Sequence, residues 1–282
     1  MKIVGNSRAK VEIVDVDGTL LVKKSCVGSD AVRLETQIRK QVDFCGTTDV
    51  KTPHVYSIIR TGDSCESIME FVSGLDFVSF TSQADVESFE RAVRKIIKFV
   101  RSEFDNAKLQ VFPKEKWNRK VEAVLSSATH SGLHNSLIVR ARAHLIGSIP
   151  NKLLIGDCHG DLTFSNMIVE RGGEVCLFDF LDPPVETPYE DVSKLLQDAE
   201  FYWTLRKYKG SCDETRVMIM WSHARKIIMR SLEDVLDIHT LRLFQVMTLM
   251  RIIPYTTDEK IIQFITDCTL RKLDEIDSSM RR

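Results

Sequence analysis

From Ala84 onward the chain reads as helices with one interruption, a strand-like, turn-rich stretch from Lys152 to Phe180. That contrast constrains the fold more than any other feature. Apolar residues three and four apart fill three patterns before the interruption, near 85–101, 114–127 and 133–146, and four after it, near 190–202, 214–232, 238–253 and 257–276. The first 70 or so residues have a different character. Lys10–Val16 and Thr19–Ser25 are β-rich runs separated by Asp17-Gly18, a strong hairpin signal. Val55–Arg60 and Ser67–Val72 form a second such pair about a turn at residues 61–64. Between the pairs, Ser29–Val42 reads as a helix, with Leu34, Ile38 and Val42 on one face and Ser29 or Asp30 as its cap. The sequence therefore predicts an α+β chain in two lobes: a small β-rich lobe over 1–72 and a large helical lobe over 73–282, with a ligand crevice between them.

Composition closes off several function classes. Lys and Arg number 39 against 40 for Asp and Glu, a formal net charge of -1, so no basic excess marks a nucleic-acid partner. The basic residues from Arg91 to Arg101 alternate with apolar ones at helical spacing and read as a solvated helix face. No window approaches the roughly 20 apolar residues that cross a bilayer, and residues 1–7 hold nothing that fits a signal peptide. Seven cysteines, at 26, 45, 65, 158, 176, 212 and 268, form an odd, scattered set with no CxxC pair. Such a set implies free thiols in a reducing cytoplasm, and Cys158 reads as packing. The chain is expected to be cytoplasmic, a monomer or homodimer, with neither nucleic acid nor membrane as partner.

The interrupting segment carries the chemistry. Asp161 and Asn166 stand five residues apart on one loop, a hairpin turns at Arg171-Gly172-Gly173, and Asp179 ends an apolar strand that brings it back beside Asn166. Asn166 and Asp179 offer oxygen ligands to a hard octahedral cation, namely magnesium. Asp161 is left to accept a proton from an attacking hydroxyl. An oriented nucleophile and a metal that neutralises phosphate charge are the parts phosphoryl transfer needs.

His159-x-Asp161-x4-Asn166, then a hairpin and Asp179, resembles the catalytic core of the aminoglycoside phosphotransferase and choline kinase-like family, which has the protein-kinase-like fold. The resemblance implies Asp161 as catalytic base, His159 as a buried orienting residue, Asn166 and Asp179 as magnesium ligands, and a structural role for Asp191. It implies ATP, or GTP in its place, as phosphoryl donor. In the amino-terminal lobe the family pattern falls on Gly5-Asn6-Ser7 as a phosphate loop, on Lys24 as the phosphate anchor, and on Glu35 as its ion-pair partner. Residues 68–72, with Glu70 and Val72, would form the hinge that meets adenine. Lys23 adjoins Lys24, and strand register decides which points into the cleft. The implied reaction is transfer of a γ-phosphate to a hydroxyl of a sugar, polyol or amino alcohol. The run from Phe178 through Tyr189 to Trp203 also resembles family members from bacterial capsule and surface-polysaccharide gene clusters.

Plainer readings stand beside these. Phe201, Tyr202 and Trp203 suit a core better than a stacking platform, and Asp182 and Glu186 are either acceptor-pocket acids or solvated loop residues. His130 and His134 have no evident partner. A rival reading starts from Asp15-Val16-Asp17-Gly18-Thr19, which fits the signature of haloacid-dehalogenase-like phosphatases, with Asp15 as nucleophile and Asp17 as acid/base. Against it, the strand before Asp15 carries Lys10 and Glu12, which suits a half-exposed hairpin, and no alternation of strands and helices follows. A catalytically silent nucleotide-binding module is the third class. The joint presence of Asp161, Asn166, Asp179 and a strand lysine speaks against it.

Overall fold

The structure, a computed structural model, describes residues 2–3, 9–44, 50–130 and 133–281. The amino-terminal part is an antiparallel sheet of β1 (Lys2–Ile3), β2 (Lys10–Val16), β3 (Thr19–Val27), β5 (Val55–Thr61) and β6 (Ser64–Glu70), in the order β1-β2-β3-β6-β5. Asp17 and Gly18 both adopt left-handed backbone angles, φ 53° and 80°, as the two central residues of a tight hairpin must. Asp15 caps that turn by accepting from the Gly18 amide at 2.8 Å, and both aspartates are exposed. Their carboxylates are turn chemistry, and the phosphatase reading finds no support.

Helix α1 (Ser29–Asp43) packs on one face of this sheet. Cys26, Ala31, Leu34, Ile38, Cys65 and Met69 form the small core between them. The stripe differs from expectation at one end: Val42 is half exposed, and Gln41 is buried in its place, donating to the Pro53 carbonyl at 3.0 Å. The helix start differs too, since Gly28 is the N-cap, with φ 65° and no side-chain cap. The last strand runs over 64–70, three residues earlier at its start and two earlier at its end than expected. The turn shrinks to Gly62-Asp63, and Val72 lies beyond the sheet.

A second sheet joins the two parts of the chain. It comprises β4 (Val50–Lys51), β7 (Leu75–Asp76), β10 (Met167–Val169) and β11 (Val175–Leu177), in the order β4-β11-β10-β7. The β10–β11 hairpin is the one anticipated at Arg171-Gly172-Gly173, with Met167 opposite Leu177. Strands β8 (Lys108–Val111) and β9 (Lys152–Ile155) form a separate pair.

The rest is helical: α2 (Phe77–Gln83), α3 (Val86–Asn106), α4 (Lys114–His130), α5 (Asn135–Gly147), α6 (Pro188–Ala199), α7 (Trp203–Lys207), α8 (Glu214–Ser231), α9 (Ile238–Met250) and α10 (Glu259–Met280). Asp76, Asp85, Asp213, Asp237 and Asp258 each accept an amide hydrogen at the first turn of the helix they precede. A small antiparallel-sheet part followed by a larger helical part is the two-lobed, protein-kinase-like α+β arrangement expected. Helix α6 is buried along its whole length, and its polar residues Glu190, Asp191, Ser193, Lys194, Gln197 and Asp198 lie inside with it. Polar groups are tolerated there only with partners, and most of those partners belong to the candidate site. Among the described residues no helix is long and apolar enough to cross a membrane.

Candidate active site

The loop after β9 carries His159, Gly160 and Asp161, and α6 holds it from beneath. Asp191 accepts the amides of His159 at 2.5 Å and Gly160 at 2.8 Å. Gly160 has φ +84°, and a Cβ there would overlap the Leu181 carbonyl. The side chain of His159 is fully buried and lies against the Phe180 ring at 4.2 Å. Its Nδ1 accepts the Asp161 amide at 3.2 Å, so the ring proton sits on Nε2 and is donated to the Phe178 carbonyl at 3.0 Å. Burial pulls the imidazole down to about 4, so it is neutral at physiological pH and orients the loop without carrying charge.

Asp161 and Asn166 face each other. Both Asn166 amide hydrogens go to Asp161, to its carbonyl at 2.8 Å and to Oδ2 at 3.0 Å, which leaves Oδ1 as the group that Asn166 can still offer. The other Asp161 oxygen, Oδ1, meets the Lys194 ammonium at 3.0 Å. Burial pushes the Asp161 carboxyl up, but Lys194, with Arg251 behind it, outweighs that and holds it below its ordinary value. Asp161 is therefore an ionised, partly buried carboxylate, able to receive a proton. The turn carrying Asn166 is fixed by Asp198, which accepts the Phe164 amide at 2.7 Å, and by the Phe164 ring, stacked on Phe77 at 4.4 Å and edge-on to Trp221 at 4.8 Å.

Asp179 follows β11 with a left-handed backbone, φ 63°. The Phe178 amide donates to the Asn166 carbonyl at 3.2 Å, so the hairpin sets Asp179 beside Asn166, as the spacing implied. Lys24 of β3 reaches across and ion-pairs with Asp179 Oδ1. Strand alternation settles the register, because Lys24 shares the Val22 and Cys26 face next to α1 whereas Lys23 turns to Glu66 at 2.8 Å. Burial pulls the Lys24 ammonium down, to about 8, which leaves it charged at neutral pH beside Asp179.

One expected contact is absent. Glu35 does not pair with Lys24: its carboxylate is held by Arg39 one turn on, at 2.8 Å, and lies 3.7 Å from Arg60. The residue of α1 that does cross to the helical lobe is Lys40, which donates to the Leu181 carbonyl at 2.6 Å and to Glu186 at 2.7 and 2.9 Å. Glu186 also accepts from the Cys158 thiol at 3.2 Å, so it is a tether anchor as the structure stands. Glu70 ends β6 with its amide on the His54 carbonyl at 2.8 Å and its carboxylate on the His54 amide at 3.1 Å. Val72 follows outside the strand, half-buried. Ser7, with Gly5 and Asn6, lies outside the described residues.

Among the described residues no group of three or more His, Cys, Asp or Glu is placed to hold a metal by itself. The donor set nevertheless fits magnesium, since Asn166 Oδ1 and the Asp179 carboxylate are hard oxygens and a cation, the Lys24 ammonium, already rests on Asp179. Magnesium is ordinarily held by one or two such side chains, with substrate phosphates and water completing its shell.

Sequence reasoning overlooked Lys194, Lys40 and Glu103. Glu103 of α3 is buried beside Asp191 and accepts the His159 amide at 3.3 Å. Its Oε2 has no other partner, and burial, then the Asp191 charge, raise its carboxyl well above the ordinary range. We read Glu103 as a neutral acid that shares its proton with Asp191.

The profile of the APH phosphotransferase enzyme family matches residues 4–210. The chain belongs to this family and is a phosphotransferase. Among curated proteins none matches it. Solved structures agree on the fold. A thermostable mutant of aminoglycoside phosphotransferase APH(4)-Ia, in ternary complex with AMP-PNP and hygromycin B, is 10% identical with a TM-score of 0.60, over 100% of this chain and 92% of that one. ADP-bound APH(2'')-Ib is 14% identical, with a TM-score of 0.56 over 98% and 93% of the two chains. APH(3'')-Id from Streptomyces rimosus, in complex with ADP and streptomycin, is 17% identical, with a TM-score of 0.53 over 86% and 92%.

Proposed function

We propose that the protein is an ATP-dependent kinase of a small-molecule hydroxyl, with GTP as the other donor the site would take. The observation that supports this most is the meeting of Asp161, Asn166, Asp179 and Lys24, drawn from three separate stretches of chain. In this reading the Asp161 carboxylate orients the acceptor hydroxyl and receives its proton. Lys24 binds donor phosphates once drawn off Asp179, and Asn166 and Asp179 would hold magnesium, which supplies charge neutralisation at the transferring phosphate. His159 and Asp191 keep the loop in register, while Glu70 and Val72 border the expected adenine site. Aminoglycosides and nucleotides accompany the solved relatives, and an acceptor rich in hydroxyls follows by analogy. A sugar or polyol of a bacterial surface-polysaccharide route is the finer form of the proposal.

Thermal unfolding with and without magnesium-ATP, on wild type and Asp179→Ala, tests the site. Stabilisation that needs magnesium and disappears in the variant supports it. A well-folded wild type that shows no shift would refute it.

A further inference from the structure

Building on the reading of Asp161 as proton acceptor, we propose that Lys194 is a further catalytic residue, whose charge passes from Asp161 to the transferring phosphoryl group as Asp161 takes the hydroxyl proton. Helix α6 and the catalytic loop run in register. Asp191, Lys194 and Asp198 stand three and four residues apart and so share one face of the helix. Their contacts follow the loop in the same order. Asp191 accepts the His159 and Gly160 amides at 2.5 and 2.8 Å, Lys194 meets Asp161 Oδ1 at 3.0 Å, and Asp198 accepts the Phe164 amide at 2.7 Å. Both ends of the loop are tied to the helix, and the lysine between them is held against the proton acceptor.

Lys194 is buried, and among the described residues Asp161 is the one carboxylate within its ion-pair reach. Glu190, one turn earlier on α6, is engaged by Arg251. While Asp161 is ionised, each charge of the pair answers the other. The reaction removes one of them. The acceptor oxygen bonds to the γ-phosphorus, the bond from that phosphorus to the bridging oxygen breaks and leaves its electron pair on ADP, and the hydroxyl proton passes to Asp161. Asp161 is then neutral, and a buried ammonium left without a counterion is strongly unfavourable. Negative charge arrives within reach at the same moment. An acceptor oxygen held by Asp161 Oδ1 at about 2.6–3.2 Å lies within about 6 Å of the Lys194 nitrogen, a gap that rotation of the lysine side chain closes. An ammonium carries three donors, so it can take hold of phosphoryl oxygens before it has wholly left Asp161. Because Lys194 engages the phosphoryl group only as the proton moves, it favours the transition state over bound ATP, and its effect falls on kcat.

Aluminium fluoride with magnesium-ADP stands in for the transferring phosphoryl group, and Asp161→Asn stands in for the protonated carboxyl. The full chain is titrated with magnesium-ADP, with and without aluminium fluoride, as wild type, as Asp161→Asn, and as Asp161→Asn combined with Lys194→Met or with Lys194→Arg. The affinity gained from the fluoride should be about tenfold larger in Asp161→Asn than in the wild type. Adding Lys194→Met should remove that excess, and adding Lys194→Arg should keep most of it. Affinity for magnesium-ADP alone should be the same in all four. The Asn–Met pair leaves no orphaned charge, and thermal unfolding checks that it folds. No excess in Asp161→Asn, an excess that survives Lys194→Met, or an equal loss of affinity for magnesium-ADP alone overturns the inference while the kinase reading stands. A well-folded wild type that binds neither magnesium-ADP nor magnesium-ATP sinks the kinase reading itself.

Discussion

Lys24 on β3 and Asp179 just past β11 meet as an ion pair across 155 residues of sequence. The pair bridges the antiparallel sheet and the β10–β11 hairpin at the point where donor phosphates are proposed to bind. Lys24→Met should raise KM for ATP and lower kcat/KM by about a hundredfold or more. Stability should change by less than about 1 kcal/mol, because Asp179 is partly exposed and can be hydrated in the variant. Steady-state kinetics and thermal unfolding on one preparation check both halves, and unchanged kinetics would remove Lys24 from the phosphate site.

Asp161→Asn should cut kcat by about a thousandfold and leave magnesium-ATP stabilisation intact. It also strips Lys194, only 8% exposed, of its counterion, so a loss of about 1–3 kcal/mol in stability is expected alongside. A variant that kept near-full turnover would show that another group takes the proton.

The Glu103–Asp191 pair predicts an unusual pH response. Burial raises Asp191 from 3.8 to about 6 and Glu103 well above 4.5, so the folded chain holds protons that the unfolded chain releases. Their contribution is complete below about pH 4 and is lost as pH rises through about 6 and beyond. His159 runs the other way: lowered to about 4, it contributes fully above 6.5 and loses that contribution as pH falls. Glu103→Gln keeps the shape, can donate to Asp191, and has no proton to lose. Its unfolding temperature relative to wild type should climb between about pH 5 and 8, reaching about 1–2 kcal/mol of added stability. A difference independent of pH would disprove proton sharing.

The Lys40–Glu186 contact predicts a non-additive pair. Lys40→Met leaves a carboxylate that is only partly exposed next to Cys158 and should cost about 2 kcal/mol. Lys40→Met with Glu186→Gln should recover part of that loss. A double-mutant cycle by urea unfolding measures the coupling, and strict additivity would mean that the contact does not hold the helix to the large lobe.

What the sequence made legible was whatever local spacing encodes. The Asp17-Gly18 turn, the Gly172-Gly173 hairpin and the return of Asp179 to Asn166 each depend on residues a few places apart. Helix α2 was missed because a seven-residue apolar segment carries too little periodicity to separate it from strand, and β8 because four exposed residues show no pattern. The α1 stripe failed by one position, since Gln41, buried to satisfy the Pro53 carbonyl, looks like a surface residue by type. Lys194, Lys40 and Glu103 were invisible for a different reason: their partners lie 33, 146 and 56 residues away, and only the packing of α6, α1 and α3 brings them together. Glu35 shows the reverse error, a residue in a familiar place whose charge is satisfied by its own helix.

The sheet order β4-β11-β10-β7 has a consequence for anyone who would take this protein apart. The hairpin that carries Asn166 and leads to Asp179 is flanked on both edges by strands from the chain before Phe77, Val50 and Lys51 along β11 and Leu75 and Asp76 along β10. A cut after residue 72, the boundary expected from the sequence, would leave the β11 edge bare and strand half of the hairpin's support on the other fragment. The helical lobe is therefore not a transplantable module. A chimaera that borrows the nucleotide-facing sheet of a relative has to keep residues 50–51 and 75–76 with the recipient hairpin, and replace only what lies outside them.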